Sequence, residues 1–135
     1  MVDDQVSIPI LTDSDIVSAR QQARELAKRF SFSSSELAGI AAAISELARN
    51  IVSYATQGTV NVSLIEEANK KGILVIVEDQ GPGISDIPLA MQDGYSTSNS
   101  LGLGLPGVKR LMDSFEIQSE IGKGTTVIVK KWVLR

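Results

Sequence analysis

ILVIVEDQGPG, residues 73–83, begins as five consecutive aliphatic residues, continues through two acids and ends in a glycine-proline turn. A run that is apolar at every position has no water-facing side, so it predicts a strand in the middle of a sheet rather than an alternating surface strand. Its end carries a second signal. Asp79 stands where a purely structural strand end needs no acid, and a carboxylate at the mouth of an apolar pocket can accept from an exocyclic amine such as that of adenine. Gly81 and Gly83 beside it would let a flat ring approach the backbone. A simple tight turn is the competing reading of DQGPG.

On the upstream side, the turn EEANKKG separates this strand from another over residues 60–65, and the two predict a hairpin. Earlier, Val6, Ile8 and Ile10 alternate with polar residues until Pro9 interrupts, as in an edge strand. Asp13 or Ser14 then caps a helix with apolar positions Ile16, Ala19, Ala23, Leu26, Ala27 and Phe30. Ser34 or Ser35 opens a second helix, whose stripe Leu37, Ile40, Ile44, Leu47, Ile51 runs to about Ala55.

Downstream, residues 84–100 show no sustained period and read as a mobile loop. LGLGLPGVKRLMDSF reads as a glycine turn entering a short helix, with Pro106 near its first turn. FEIQSEI and TTVIVKKWVL follow as two strands joined at Gly122, Lys123 and Gly124. Strand, two helices, two strands, loop, helix, two strands predicts one α+β domain over residues 1–135, a mixed or antiparallel sheet with helices packed on one face.

Composition narrows the chemistry. The 135 residues include 13 basic and 16 acidic side chains, net −3, which predicts neither nucleic acid nor an anionic membrane as partner. Without cysteine there are no disulfides or thiolate sites, and without histidine any acid-base work falls to Asp, Glu, Lys or Tyr. An acidic N-terminus and the absence of a membrane-length apolar run predict a soluble, cytosolic protein.

GLGLPG places Gly102, Gly104 and Gly107 in the spacing GxGxxG. As a dinucleotide fingerprint it lacks the strand that must precede it, which leaves a bare helix-entry loop or a phosphate cradle made of backbone N–H groups and a helix N-terminus. GKGT at residues 122–125 fails the Walker spacing and reads as a hairpin. Between Glu78 and Lys109 there is no Lys or Arg. A triphosphate held there would need a metal, backbone amides, and Lys109 or Arg110 from the early turns of the helix.

In SELARN, residues 45–50, Glu46 and Asn50 lie about 40° apart around the second helix and about 6 Å apart along it. They share a polar side with Gly39 and Ser53, opposite the apolar stripe. One reading is a solvated surface. The other gives Asn50 a neutral hard oxygen suited to Mg²⁺ and Glu46 the role of general base.

ExxxN in SELARN, DxGxG in DQGPG and GxGxxG in GLGLPG, in this order and separated by a loop, resemble the N, G1 and G2 boxes of the GHKL ATPase and kinase superfamily. Within it, SELARNI, EDQGPGI, DGYSTS and GLGLPGVKRLMD resemble the small anti-sigma-type serine/threonine kinases of bacterial stress-response pathways, nearly end to end. The resemblance implies the GHKL (Bergerat) ATP-binding sandwich, with Asn50 as the Mg²⁺ ligand and Glu46 as the base that takes the acceptor's proton. It further implies Asp79 as the adenine-binding acid with Gly81 and Gly83 shaping its pocket, and Gly102, Gly104 and Gly107 as the phosphate loop. Residues 84–101 would be the ATP lid and Thr125 a secondary contact near the base. The implied partners are STAS-domain antagonist and scaffold proteins (RsbS/RsbR-like), which would be phosphorylated at Ser or Thr, and an RsbU-like PP2C phosphatase, which the released kinase would activate.

One position departs from the wider group. Sigma-factor-binding relatives commonly carry a basic lid residue just before the third motif, where this chain has Asn99, Ser100 and Leu101. That weakens the alternative function, a nucleotide-dependent anti-sigma factor that sequesters a sigma factor. The absence of histidine excludes a kinase that phosphorylates itself on that residue.

Overall fold

The computed structural model describes residues 4–55, 57–84, 91 and 104–134. The elements run β1 (Gln5–Ile10), α1 (Asp13–Ala27), α2 (Ser34–Tyr54), β2 (Gly58–Glu67), β3 (Lys70–Asp79), α3 (Gly104–Leu111), β4 (Ser114–Glu120) and β5 (Gly124–Trp132). The strands form one sheet in the order β1-β2-β3-β5-β4. Every ladder is antiparallel, which resolves the open choice between a mixed and an antiparallel sheet. β3 is the central strand, as its aliphatic run predicts, and β1, with Pro9, lies at an edge.

Register explains the core. Ile8, Val60, Val77 and Val127 form one row across the sheet, and Val62, Val75 and Val129 the next. These side chains are buried under α1, which contributes Ile16, Ala19, Ala23, Leu26 and Ala27, and α2, which contributes Ile40, Ile44, Leu47 and Ile51. Burying each large aliphatic side chain stabilises the fold by about 1.5–3 kcal/mol. The helices cover this face alone. Leu74 and Ile76, on the other face of β3, stay half-buried beside the cross-strand Ile128, so the apolar run is not enclosed on both sides.

The turn between β2 and β3 uses Ala68 and Asn69, both with positive φ (49° and 67°), as a tight two-residue hairpin requires. Both helix starts fall earlier than predicted. Thr12, not Asp13 or Ser14, occupies the N-cap of α1, and Ser33, not Ser34 or Ser35, that of α2. At the second, Ser33 Oγ accepts from the Glu36 amide (3.1 Å) and Glu36 Oε1 accepts from the Ser33 amide (2.8 Å). In a run of three serines only this reciprocal bond selects the cap, because the acid must stand three residues later. Phe30 lies beyond the end of α1, partly buried against the core.

At the start of α1, the backbone amides of Leu11 and Thr12 hold the Asp15 carboxyl below its ordinary range. A depressed carboxylate stabilises the fold above its unfolded value of about 3.9, and that contribution is lost as pH falls through the lowered folded value. The melting temperature of Asp15→Asn should therefore lie below that of the parent at pH 7 and converge on it in acid. An equal gap at both pH values would contradict this. No described helix is long and apolar enough to cross a membrane.

Candidate active site

β3 delivers Asp79 to the edge of the core, and the following turn fixes its carboxylate. Oδ1 accepts from the Gly81 amide at 2.8 Å and from the Thr125 amide of β5 at 3.2 Å. Two backbone donors on one oxygen orient the group and leave Oδ2 for a further donor. Thr125 thus reaches this carboxylate through its backbone, while its hydroxyl lies 2.8 Å from Ser119 Oγ.

The turn is joined to the β4–β5 hairpin by a set of contacts. The Ile84 amide donates to Ser119 Oγ (2.7 Å) and the Gly122 amide to the Pro82 carbonyl (2.9 Å). Gly83 and Gly124 have φ of +81° and +121°, and a Cβ on them would run into the carbonyl oxygens of Glu120 and Asp79, respectively. GKGT is therefore the hairpin the sequence predicts, and its second glycine is what lets β5 approach the Asp79 turn. Gly124→Ala should cost at least about 2 kcal/mol, since strained φ alone costs about 1–3. Chemical denaturation measures it, and a loss below about 0.5 kcal/mol would contradict the packing described.

On α2, Glu46 is 4% exposed. Its Oε1 accepts from Arg49 Nη1 at 3.1 Å. Asn50, one turn after Glu46, is half-buried, and Ser53 and Tyr54 are exposed. The polar side of α2 is thus not a solvated surface at Glu46. A side chain added at Gly39, on the same side, would meet Leu111 of α3 at 3.6 Å, so the short helix after the glycine motif docks near the start of that side.

Gly104 opens α3 with φ of +69°, and Gly107 is buried in it beside Leu105, Pro106 and Val108. Gly102 lies outside the described residues, as does most of the loop predicted over residues 84–101. Lys109 and Arg110 stand in the last turn of α3, not its early turns, and both are exposed. There they complement the negative end of the helix, which corrects their expected place in its early turns.

Where α2 ends, Ser53, Tyr54, Ala55, Gln80, Gly81, Pro82 and Gly122 line an open cleft of about 540 Å³, in the size range of small-molecule sites. Among the described residues no three His, Cys, Asp or Glu side chains converge on a possible metal position. Sequence reasoning missed Ser119, Arg49 and the role of Gly124. Only the hairpin register, which sets Ser119 opposite Thr125, could have pointed to the first.

The histidine kinase-like ATPase domain family matches residues 11–131. The serine/threonine-protein kinase RsbT of Bacillus subtilis is 50% identical over 132 residues, spanning 98% of this chain and 99% of that protein. An anti-sigma F factor of Clostridium kluyveri is 31% identical over 136 residues, spanning 97% and 96%. The crystal structure of the RsbU and RsbW domains of a Mycobacterium tuberculosis protein superposes with a TM-score of 0.62 at 23% identity, covering 94% of this chain and 32% of that one. That likeness is one of fold.

Proposed function

This chain belongs to the histidine kinase-like ATPase domain family, and from that premise we propose that it is a serine/threonine-protein kinase that transfers the γ-phosphoryl group of ATP to partner proteins of a bacterial stress-response switch. The observation that carries the reading is Glu46, a buried, ion-paired carboxylate one helical turn before Asn50, on the side of α2 where α3 docks. In a chain without histidine, it is the carboxylate suited to receive the acceptor's proton.

Each residue has a separate task. Asp79, oriented through Oδ1, accepts from the adenine amine with its other oxygen. Gly81 and Gly83 keep side chains out of the ring's way. The N-terminal end of α3, opened by Gly104 with Gly107 packed behind, presents backbone donors to the phosphates. Glu46 takes the proton from the attacking Ser or Thr hydroxyl as the new O–P bond forms and the bond from the γ-phosphorus to the bridging oxygen breaks.

Asn50 offers one neutral oxygen, and no acidic cluster stands among the described residues to complete a protein-built cage. That donor set fits Mg²⁺ carried by the nucleotide, which keeps waters and phosphate oxygens as its other ligands. When bound, Mg²⁺ supplies charge neutralisation at the phosphate oxygens.

The proposed phosphoacceptors are STAS-domain antagonist and scaffold proteins (RsbS/RsbR-like), and the proposed second partner is an RsbU-like PP2C phosphatase, all in the cytoplasm. Identity of 50% to a kinase against 31% to an anti-sigma factor favours the kinase over sigma-factor sequestration. Pull-downs with and without ATP separate the two. Capture of an STAS protein and a phosphatase supports the kinase reading; ATP-dependent capture of a sigma factor, with no STAS protein phosphorylated, would overturn it.

A further inference from the structure

We infer that Arg49 is a positioning residue of the phosphoryl-transfer step, holding the Glu46 carboxylate aimed while the acceptor hydroxyl approaches. The inference rests on the assignment of Glu46 as the base.

Burial sets this pair apart. The ion pairs Lys28–Glu25 and Lys123–Glu120 have the same three-residue spacing, but both of their partners are about half exposed or more. In Arg49–Glu46 the acid's side chain is 6% exposed and the arginine's 40%, at 3.1 Å. Glu46 lies among the buried Ala43, Leu47 and Ala48. A carboxylate in such surroundings stays charged only if a counter-charge or hydrogen bonds compensate for lost water. The guanidinium provides both from the helix's own next turn.

Arginine also suits the step itself. It does not give up its proton, so it cannot compete with Glu46 as base. Arg49 is moreover the residue just before Asn50, and no Lys or Arg occurs between Glu78 and Lys109. The fold therefore sets this cation on α2, while the chain from Asp79 through Val108 has none.

The test uses the full chain, [γ-³²P]ATP, Mg²⁺ and an STAS-domain antagonist under steady-state conditions, with ATP affinity measured by calorimetry. Arg49→Met should lower kcat by about 10- to 100-fold and leave the KM for ATP within about twofold. Arg49→Lys should recover kcat to within about threefold of the parent, because a single nitrogen makes the observed contact. In a Glu46→Gln background, Arg49→Met should cost no more than about twofold further, as expected of residues acting through one another.

An unchanged kcat in Arg49→Met, even with a lowered melting temperature, would reduce the pair to a structural one and overturn the inference. An equal loss in both backgrounds, or a loss expressed only in KM, would make Arg49 act on the nucleotide directly and overturn it too. Full activity of Glu46→Gln alone is the separate outcome that removes the base, and this inference with it. Where Arg49→Met fails to fold, Arg49→Gln, which keeps a nitrogen donor without the charge, takes its place: a loss of about 10-fold in kcat alone supports the inference, and a kcat equal to the parent's overturns it.

Discussion

Replacing Glu46 with Gln is expected to lower kcat for phosphoryl transfer by about 10²- to 10⁴-fold, with ATP affinity within about twofold of the parent. Gln keeps the size of the side chain and an oxygen that can still accept from Arg49 Nη1, so the packing of the 4%-exposed site should survive. What Gln lacks is the ability to take a proton. The loss should therefore appear in turnover, because Glu46 lies on α2 while Asp79, the proposed adenine acceptor, lies at the end of β3. Kinetics with calorimetry decides it: a variant with full kcat would show that another group accepts the proton, and one that fails to bind ATP would move Glu46 from chemistry to nucleotide binding.

Asp79→Asn should abolish activity by the opposite route. Asn retains an oxygen that can accept from the Gly81 and Thr125 amides, so the turn and its junction with the β4–β5 hairpin should persist. Its amide nitrogen then stands in place of Oδ2, presenting a donor where the adenine amine also donates. A hydrogen bond to a charged group contributes about 1.5–3 kcal/mol, so ATP affinity should fall by at least about 10- to 100-fold, with little change in melting temperature. ATP binding within threefold of the parent would place the adenine elsewhere.

The contrast between these sites shows what sequence could and could not reveal. The run ILVIV predicts a central strand, and β3 is central, although the helices cover only one of its faces and Leu74 and Ile76 stay half-buried on the other. The stripes of α1 and α2 are legible because helical spacing maps directly onto burial. The caps lie one or two residues before the predicted positions because the acid three residues later, Asp15 for Thr12 and Glu36 for Ser33, selects among neighbouring Ser, Thr and Asp side chains. Helical arithmetic placed Glu46 and Asn50 on one side, yet it carries no information about what lies opposite. The burial of Glu46, its bond to Arg49 and the docking of α3 near Gly39 are tertiary facts. The same holds for Gly124, whose need for glycine arises from a carbonyl 45 residues earlier in the chain.

The central claim is transfer of the ATP γ-phosphoryl group to a hydroxyl of a partner protein. Its most direct test is incubation of the chain with [γ-³²P]ATP, Mg²⁺ and a recombinant STAS-domain antagonist, followed by mass-spectrometric mapping of the label. Label is expected on a Ser or Thr of the STAS protein, dependent on both Asp79 and Glu46. An unlabelled STAS protein alongside intact ATP binding would contradict it.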